Sequence, residues 1–162
     1  MKHTIVDSPI GPLTLVGEDE VVTGLYFPHH WTRPDRSTFG TRDDTAFPEA
    51  ARQLKEYFAG QRTEFDITMR ADGPASDQAV WAEITKIPYG QTATYGDLAQ
   101  AVGFLPHEIG AAVGRNPLSI LVACHRVVGK NGKLTGYAGG LKRKQFLLDL
   151  ERPPAAERGQ LW

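Results

Sequence analysis

Hydrophobic and polar positions change their rhythm partway along the chain. His3 to Val6, Leu13 to Val16 and Val21 to Phe27 are short β-prone runs. Turn-forming stretches, Asp7-Ser8-Pro9-Ile10-Gly11-Pro12 and Gly17-Glu18-Asp19-Glu20, separate them, and the pattern predicts three strands. Residues 28 to 46 are polar and carry prolines, which predicts a mobile loop. Pro48 to Ala59 has helical spacing, with Ala51, Leu54, Tyr57 and Phe58 on one face and Gly60 as its stop. Thr63 to Met69 is a candidate further strand, and Arg70 to Ala75 is rich in breakers. The domain boundary is placed there, giving residues 1–72 and 73–152, with 153–162 as a loose tail.

The second half reads as helices. Ser76 to Lys86 turns Val80, Trp81 and Ile84 inward, with Ser76 as the expected N-cap. Ile87-Pro88-Tyr89-Gly90 is a turn. Thr94 is placed to cap Tyr95 to Val102, and Gly103 to stop it. A second short helix runs from about Pro106 to Val113 and is rich in small residues. Two such helices around a tight turn fit a helix-turn-helix, although an ordinary αα-hairpin is the commoner structure. A final helix, Leu141 to Glu151, is closed by Pro153 and Pro154. It carries Lys142, Arg143 and Lys144 in its first turn, against the helix dipole. That placement suits either a face meeting a polyanion or a solvated face. Gly139 and Gly140 just before it would let backbone approach a flat ligand.

Charge and cysteine usage narrow the chemistry. With 18 basic and 19 acidic residues among 162, net charge is -1, so a nucleic-acid surface has to be local. The one cysteine, Cys124, excludes an internal disulfide and a multi-cysteine zinc site. No apolar run is long enough to span a membrane, and the N-terminus lacks a signal pattern, which points to a reducing cytoplasm. Cys124 lies in Leu121-Val122-Ala123-Cys124-His125-Arg126-Val127-Val128-Gly129, expected to be buried and extended. A thiol there is either a small core hydrophobe or a nucleophile. Burying His125 and Arg126 costs several kcal/mol unless they are paired, so the second reading is preferred. An adjacent base is the usual way to activate a cysteine.

Co-linear motifs extend from Val80-Trp81 through Ile87-Pro88-Tyr89-Gly90-Gln91-Thr92, Tyr95-Gly96, Gly110 to Pro117 and Cys124-His125-Arg126-Val127. They continue through Leu134-Thr135-Gly136-Tyr137-Ala138-Gly139-Gly140 to Lys144–Glu151. Together they resemble the O6-alkylguanine-DNA alkyltransferase family. The resemblance implies an α+β protein: a small N-terminal sheet-plus-helix domain of ribonuclease-H-like type, and a mainly helical C-terminal domain with a helix-turn-helix. It implies a monomer without cofactor or metal that binds double-stranded DNA containing O6-alkylguanine. The family flips that base out and moves its alkyl group irreversibly to a cysteine.

By the same resemblance Cys124 is the nucleophile, His125 deprotonates it through a water, Glu151 orients the imidazole, and Asn116 ties the helix-turn-helix to the cysteine segment. Tyr95 crowds the target phosphate and donates to the flipped base. Tyr137 walls the pocket, the backbone around Val127 and Ala138 reads the guanine edge, and Lys144 favours the thiolate. Arg115 and Arg126, with Lys142 to Lys144, are candidates for phosphate contact. The chain departs from the family pattern at Ala123, where proline is usual, and at Ser76, where phenylalanine is usual. It also departs in a shortened Gly103–Gly110 stretch and at His107, which stands where the family has an arginine finger. Two other readings stay open. One is a lesion-binding relative that transfers poorly, against which Cys124 counts. The other is a thiol hydrolase built on Cys124 and His125, which leaves the helix-turn-helix unexplained.

Overall fold

The computed structural model describes residues 1–28 and 34–152. Three strands open the chain: β1 Lys2–Val6, β2 Leu13–Glu18 and β3 Val21–Tyr26. β2 lies antiparallel between β1 and β3, its bulge at Val16/Gly17. Asp19 and Glu20 both take positive φ, the type I′ geometry of a two-residue hairpin loop. A Cβ on Gly17 would sit 2.1 Å from the Val21 carbonyl oxygen, so only glycine fits the bulge.

Part of the predicted loop 28–46 is ordered. Arg36–Phe39 forms a 3-10 turn capped by Asp35, and β4, Thr41–Arg42, joins the sheet parallel to β1. Phe39 is buried and stacks on Tyr26 with ring centroids 5.5 Å apart. Residues 29–33 of that loop, and the tail 153–162 with its two prolines, lie outside the described residues. The α1 helix, Pro48–Phe58, packs Leu54 and Tyr57 against the sheet. Thr63 to Met69 is not a strand: it makes one bridge, Met69 to Val22. The buried Gln53 side chain satisfies the Asp66 backbone instead, donating to its carbonyl and accepting from its N–H.

The second half holds α2 Ala75–Ile84, α3 Tyr95–Val102, α4 Pro106–Gly114 and α5 Leu141–Glu151. Pro74 takes the N-cap of α2, one residue before the helix start, so Ser76 is not its cap. A complete capping box starts α3: Thr94 accepts from the Asp97 N–H, and Asp97 accepts from the Thr94 N–H. Gly103, at φ 78°, ends it. The turn that follows folds α4 onto α3, and Trp81 of α2 donates its indole N–H to the Ala112 carbonyl, 2.9 Å away, pinning α4 from behind. A two-residue parallel pair, β5 Ala93–Thr94 and β6 Val127–Val128, joins the start of α3 to the end of the cysteine segment. One apolar core runs through both halves, from Val6 to Leu147. Leu25 of β3 donates its N–H to the Pro117 carbonyl, so the N-terminal sheet and the segment before the cysteine share a backbone bond. Among the described residues no helix is long and apolar enough to cross a membrane.

Candidate active site

The segment before Cys124 is buried but not extended. Ile120 takes φ 72°, and the Leu121, Val122 and Cys124 N–H groups close tight turns on the Ser119, Leu118 and Val122 carbonyls. Cys124 then opens a 3-10 turn, Cys124–Arg126. Asn116, buried at the end of α4, holds this shape from both sides. Its amide donates to the Val122 carbonyl at 2.8 Å, and its side-chain oxygen accepts from the Leu118 N–H at 3.0 Å. Ala123 serves at the step before the cysteine with φ −76°, a value that proline would also adopt.

Behind the thiol is a buried acid–base chain. Glu151, the last residue of α5, accepts from His125 Nε2 at 2.7 Å and from Arg126 Nε at 2.8 Å and Nη2 at 3.1 Å. The Tyr57 hydroxyl reaches the same carboxylate from α1, at 2.5 Å. Burial pushes Glu151 upward, but the His125, Arg126 and Tyr57 hydrogen bonds overcome it and hold the carboxyl down at about 2. Burial lowers His125 more than Glu151 raises it, so the imidazole rests neutral near pH 7. An ionised Glu151 accepts only, so the ring proton sits on Nε2 and the lone pair on Nδ1. Nδ1 is buried and has no hydrogen-bond partner among the described residues.

Burial also pushes the Cys124 thiol up, and the Asn116 amide, the Lys144 charge and the Ser119 hydroxyl offset this only in part. The sulfur therefore rests as a thiol and needs a base when it reacts. Lys144 lies buried behind the site, its Nζ donating to the Val127 carbonyl at 2.6 Å and the Thr135 carbonyl at 3.1 Å. Burial draws its ammonium down to about 8, with Cys124 acting in the opposite direction.

In front of the thiol is a cavity of about 460 Å³. Tyr95, His107, Gly110 and Gly114 of the two short helices form one wall; Thr135, Tyr137 and Ala138 form the other, with Cys124 between them. A Cβ on Gly110 or Gly114 would meet nothing within 4 Å, so these glycines leave the α4 face open. The Thr135 hydroxyl donates to Tyr95 Oη at 3.0 Å, linking the walls. His107 is exposed in the first turn of α4, at the rim.

Of the residues named from sequence, Cys124, Tyr95, His107, Tyr137 and Ala138 line this cavity, while His125, Glu151, Arg126 and Lys144 stand behind it. The Val127 carbonyl is taken by Lys144. The supposed cationic face mostly turns inward. Arg126 is engaged by Glu151 and the Ile87 carbonyl, and Arg143 by the Ile10 and Gly139 carbonyls while it covers the Phe27 ring. Arg115 forms a two-bond pair with the buried Asp77. Lys142 alone of the five is exposed with no such bond among the described residues. The flat group close to Gly139 is Phe27 of this same chain: a Cβ there would lie 2.5 Å from its ring. Sequence reading missed Tyr57, Ser119 and Thr135 as parts of the site. Thr135 lies inside a quoted motif, whereas nothing local distinguishes Tyr57 from a packing residue.

Residues 1–71 match the ribonuclease-like domain of 6-O-methylguanine DNA methyltransferase, and residues 75–153 match its DNA binding domain. The chain belongs to the 6-O-methylguanine DNA methyltransferase family. A methylated-DNA–protein-cysteine methyltransferase of Mycobacterium tuberculosis is 47% identical over 157 residues, covering 96% of this chain and 94% of the relative. One from Methanosarcina acetivorans is 42% identical over 153 residues, covering 93% and 98%. Among solved structures, Mycobacterium tuberculosis OGT in complex with DNA superposes with a TM-score of 0.89 at 44% identity, covering 93% of each chain. Within the 6-O-methylguanine DNA methyltransferase family, then, this chain spans 93–98% of the length of these relatives and shares the fold of the solved one.

Proposed function

We propose that the chain is a DNA repair protein that draws an O6-alkylguanine from duplex DNA into the Cys124 cavity and moves the alkyl group to its own sulfur. One observation carries this reading: a buried thiol borders an open cavity, and behind it a neutral His125 is held by an ionised Glu151. The lesion base is held in the base stack, so it has to leave the duplex to reach a buried thiol. His125 Nδ1 takes the thiol proton through a water. Sulfur then attacks the alkyl carbon while the carbon–O6 bond breaks, its electrons moving into the guanine ring, which takes up a proton. Glu151 holds the imidazolium so formed, and Lys144 offsets negative charge on sulfur. The product is a thioether, a poor leaving group at neutral pH, so the protein acts once. No step calls for a cofactor or metal, and a reducing cytoplasm keeps the thiol available. Enzymatic digestion of a repaired duplex tests the DNA side: guanine should appear in place of O6-methylguanine, one per protein. Recovery of an abasic site or a cut strand would sink the proposal.

His107 sets the expected weakness. Extrusion costs a few kcal/mol, and an imidazole is shorter than a guanidinium. Arg115 cannot replace it, being held by Asp77 at the other end of α4. His107→Arg should speed single-turnover repair of duplex, while its reaction with free O6-benzylguanine stays as in wild type. Equal duplex-to-free-base ratios for wild type, His107→Arg and His107→Ala would remove His107 from base extrusion.

A further inference from the structure

The Tyr57 hydroxyl lies 94 residues from Glu151 in sequence and 2.5 Å from it in space. Both side chains are buried. Tyr57 also packs against Phe58, Phe65 and Tyr89, with ring centroids 5.3 to 6.3 Å away, so its ring has one position to occupy. Burial and the neighbouring carboxylate push its phenol far upward, so the hydroxyl stays a donor at every working pH. Glu151 needs a fixed neighbour. It ends α5, and the C-terminal turn of a helix disfavours a carboxylate. His125 and Arg126 come from one short turn and would move together; Tyr57 approaches the same carboxylate from a separate element.

We propose that Tyr57 is a positioning residue for alkyl transfer: its hydroxyl, supplied by the N-terminal half, fixes the Glu151 carboxylate against His125 Nε2 and so keeps Nδ1 aimed as the base. This rests on the alkyl-transfer reading above. It gives the N-terminal half a part in the chemistry, through a bond rather than through packing alone. The groups facing this carboxylate are His125, Arg126 and Tyr57 in contact, with Tyr89 beyond. Lys144 also faces His125, and Cys124 faces both Lys144 and Tyr137. Among these, loss of the hydroxyl leaves more of the Glu151 charge for His125, so the imidazole should titrate at higher pH.

The test compares wild type, Tyr57→Phe and a packing control on the same helix, Leu54→Val. Three quantities are read: single-turnover transfer from an O6-methylguanine duplex, affinity for that duplex, and the 15N NMR titration of His125 in free protein. Tyr57→Phe should slow transfer about tenfold, the effect usual for losing a group that orients a catalytic ligand. It should leave affinity unchanged and move the His125 titration upward. Leu54→Val should lower the melting temperature and leave the transfer rate and the titration where they were. A Tyr57→Phe protein with wild-type rate and wild-type titration overturns the proposal. If Tyr57→Phe does not fold, 3-fluorotyrosine placed at position 57 keeps the ring and strengthens the donor; the titration should then move down, and no movement overturns the proposal. Wild type failing to take up the methyl group would defeat the functional reading, while the NMR titration would still decide the role of Tyr57.

Discussion

Cys124→Ser should give a folded protein that binds lesion-bearing duplex and transfers nothing. Serine is nearly the same size, and Cys124 makes its packing contacts in a site already shaped by Asn116. What changes is acidity. Burial already pushes the thiol up, against the help of Asn116, Lys144 and Ser119. A hydroxyl starts far higher, so the neutral His125 cannot remove its proton to any useful extent. The expected loss in rate is roughly a thousandfold or more, as for other nucleophiles that work as a unit with their base. Binding should survive, because the helices and the cavity rim are untouched. Parallel gel-shift and single-turnover assays check both halves of this expectation. Loss of duplex affinity in a folded Cys124→Ser protein would contradict the separation of binding from chemistry.

Glu151→Gln should be costly in a different way, to the fold as well as the reaction. The carboxylate balances a buried arginine and orients a buried histidine. Removing one partner of a buried pair leaves the other charge uncompensated, at a cost of about 3–5 kcal/mol. The pH dependence follows from the same residue. Glu151 is held at about 2 in the folded chain, below the ordinary 4.5. A depressed folded value stabilises the fold at pH above the unfolded value. That stability is lost as pH falls from about 4.5 toward 2, and amounts to about 3 kcal/mol at 1.36 kcal/mol per unit. Urea unfolding at neutral pH and near pH 3 measures both effects. Wild type should weaken on acidification, and Glu151→Gln should be weak throughout, with a flatter acid limb. A variant within about 1 kcal/mol of wild type, with the same acid slope, would show that Glu151 does not hold the buried charges together.

These contrasts explain which parts of the molecule could be read from residues alone. The Thr94–Asp97 capping box, the stop at Gly103 and the first three strands depend on chemistry within a few residues, and the structure has each of them. The juxtaposition of Cys124, His125 and Arg126 was legible for the same reason. What depends on distant partners was not. Lys144 and Arg143 look like a cationic surface in one dimension, yet carbonyls from Ile10, Val127, Thr135 and Gly139 draw them inward. Thr63 to Met69 has strand composition, but Gln53 of α1 satisfies its backbone at Asp66 before a ladder can form. The apolar run before Cys124 suggested an extended segment, and the left-handed Ile120 bends it. Tyr57 carried no local sign of its bond to Glu151, because only the packing of α1 against α5 and the cysteine turn brings the two together.

Cys124 itself becomes the acceptor. Intact-mass spectrometry after incubation with an excess of O6-methylguanine duplex, followed by peptide mapping, tests this most directly. The expected result is a gain of one methyl group per protein, located on Cys124, with no further lesion repaired once that gain is complete. Continued removal of methyl groups by protein of unchanged mass, or a methyl group on any other residue, would contradict it.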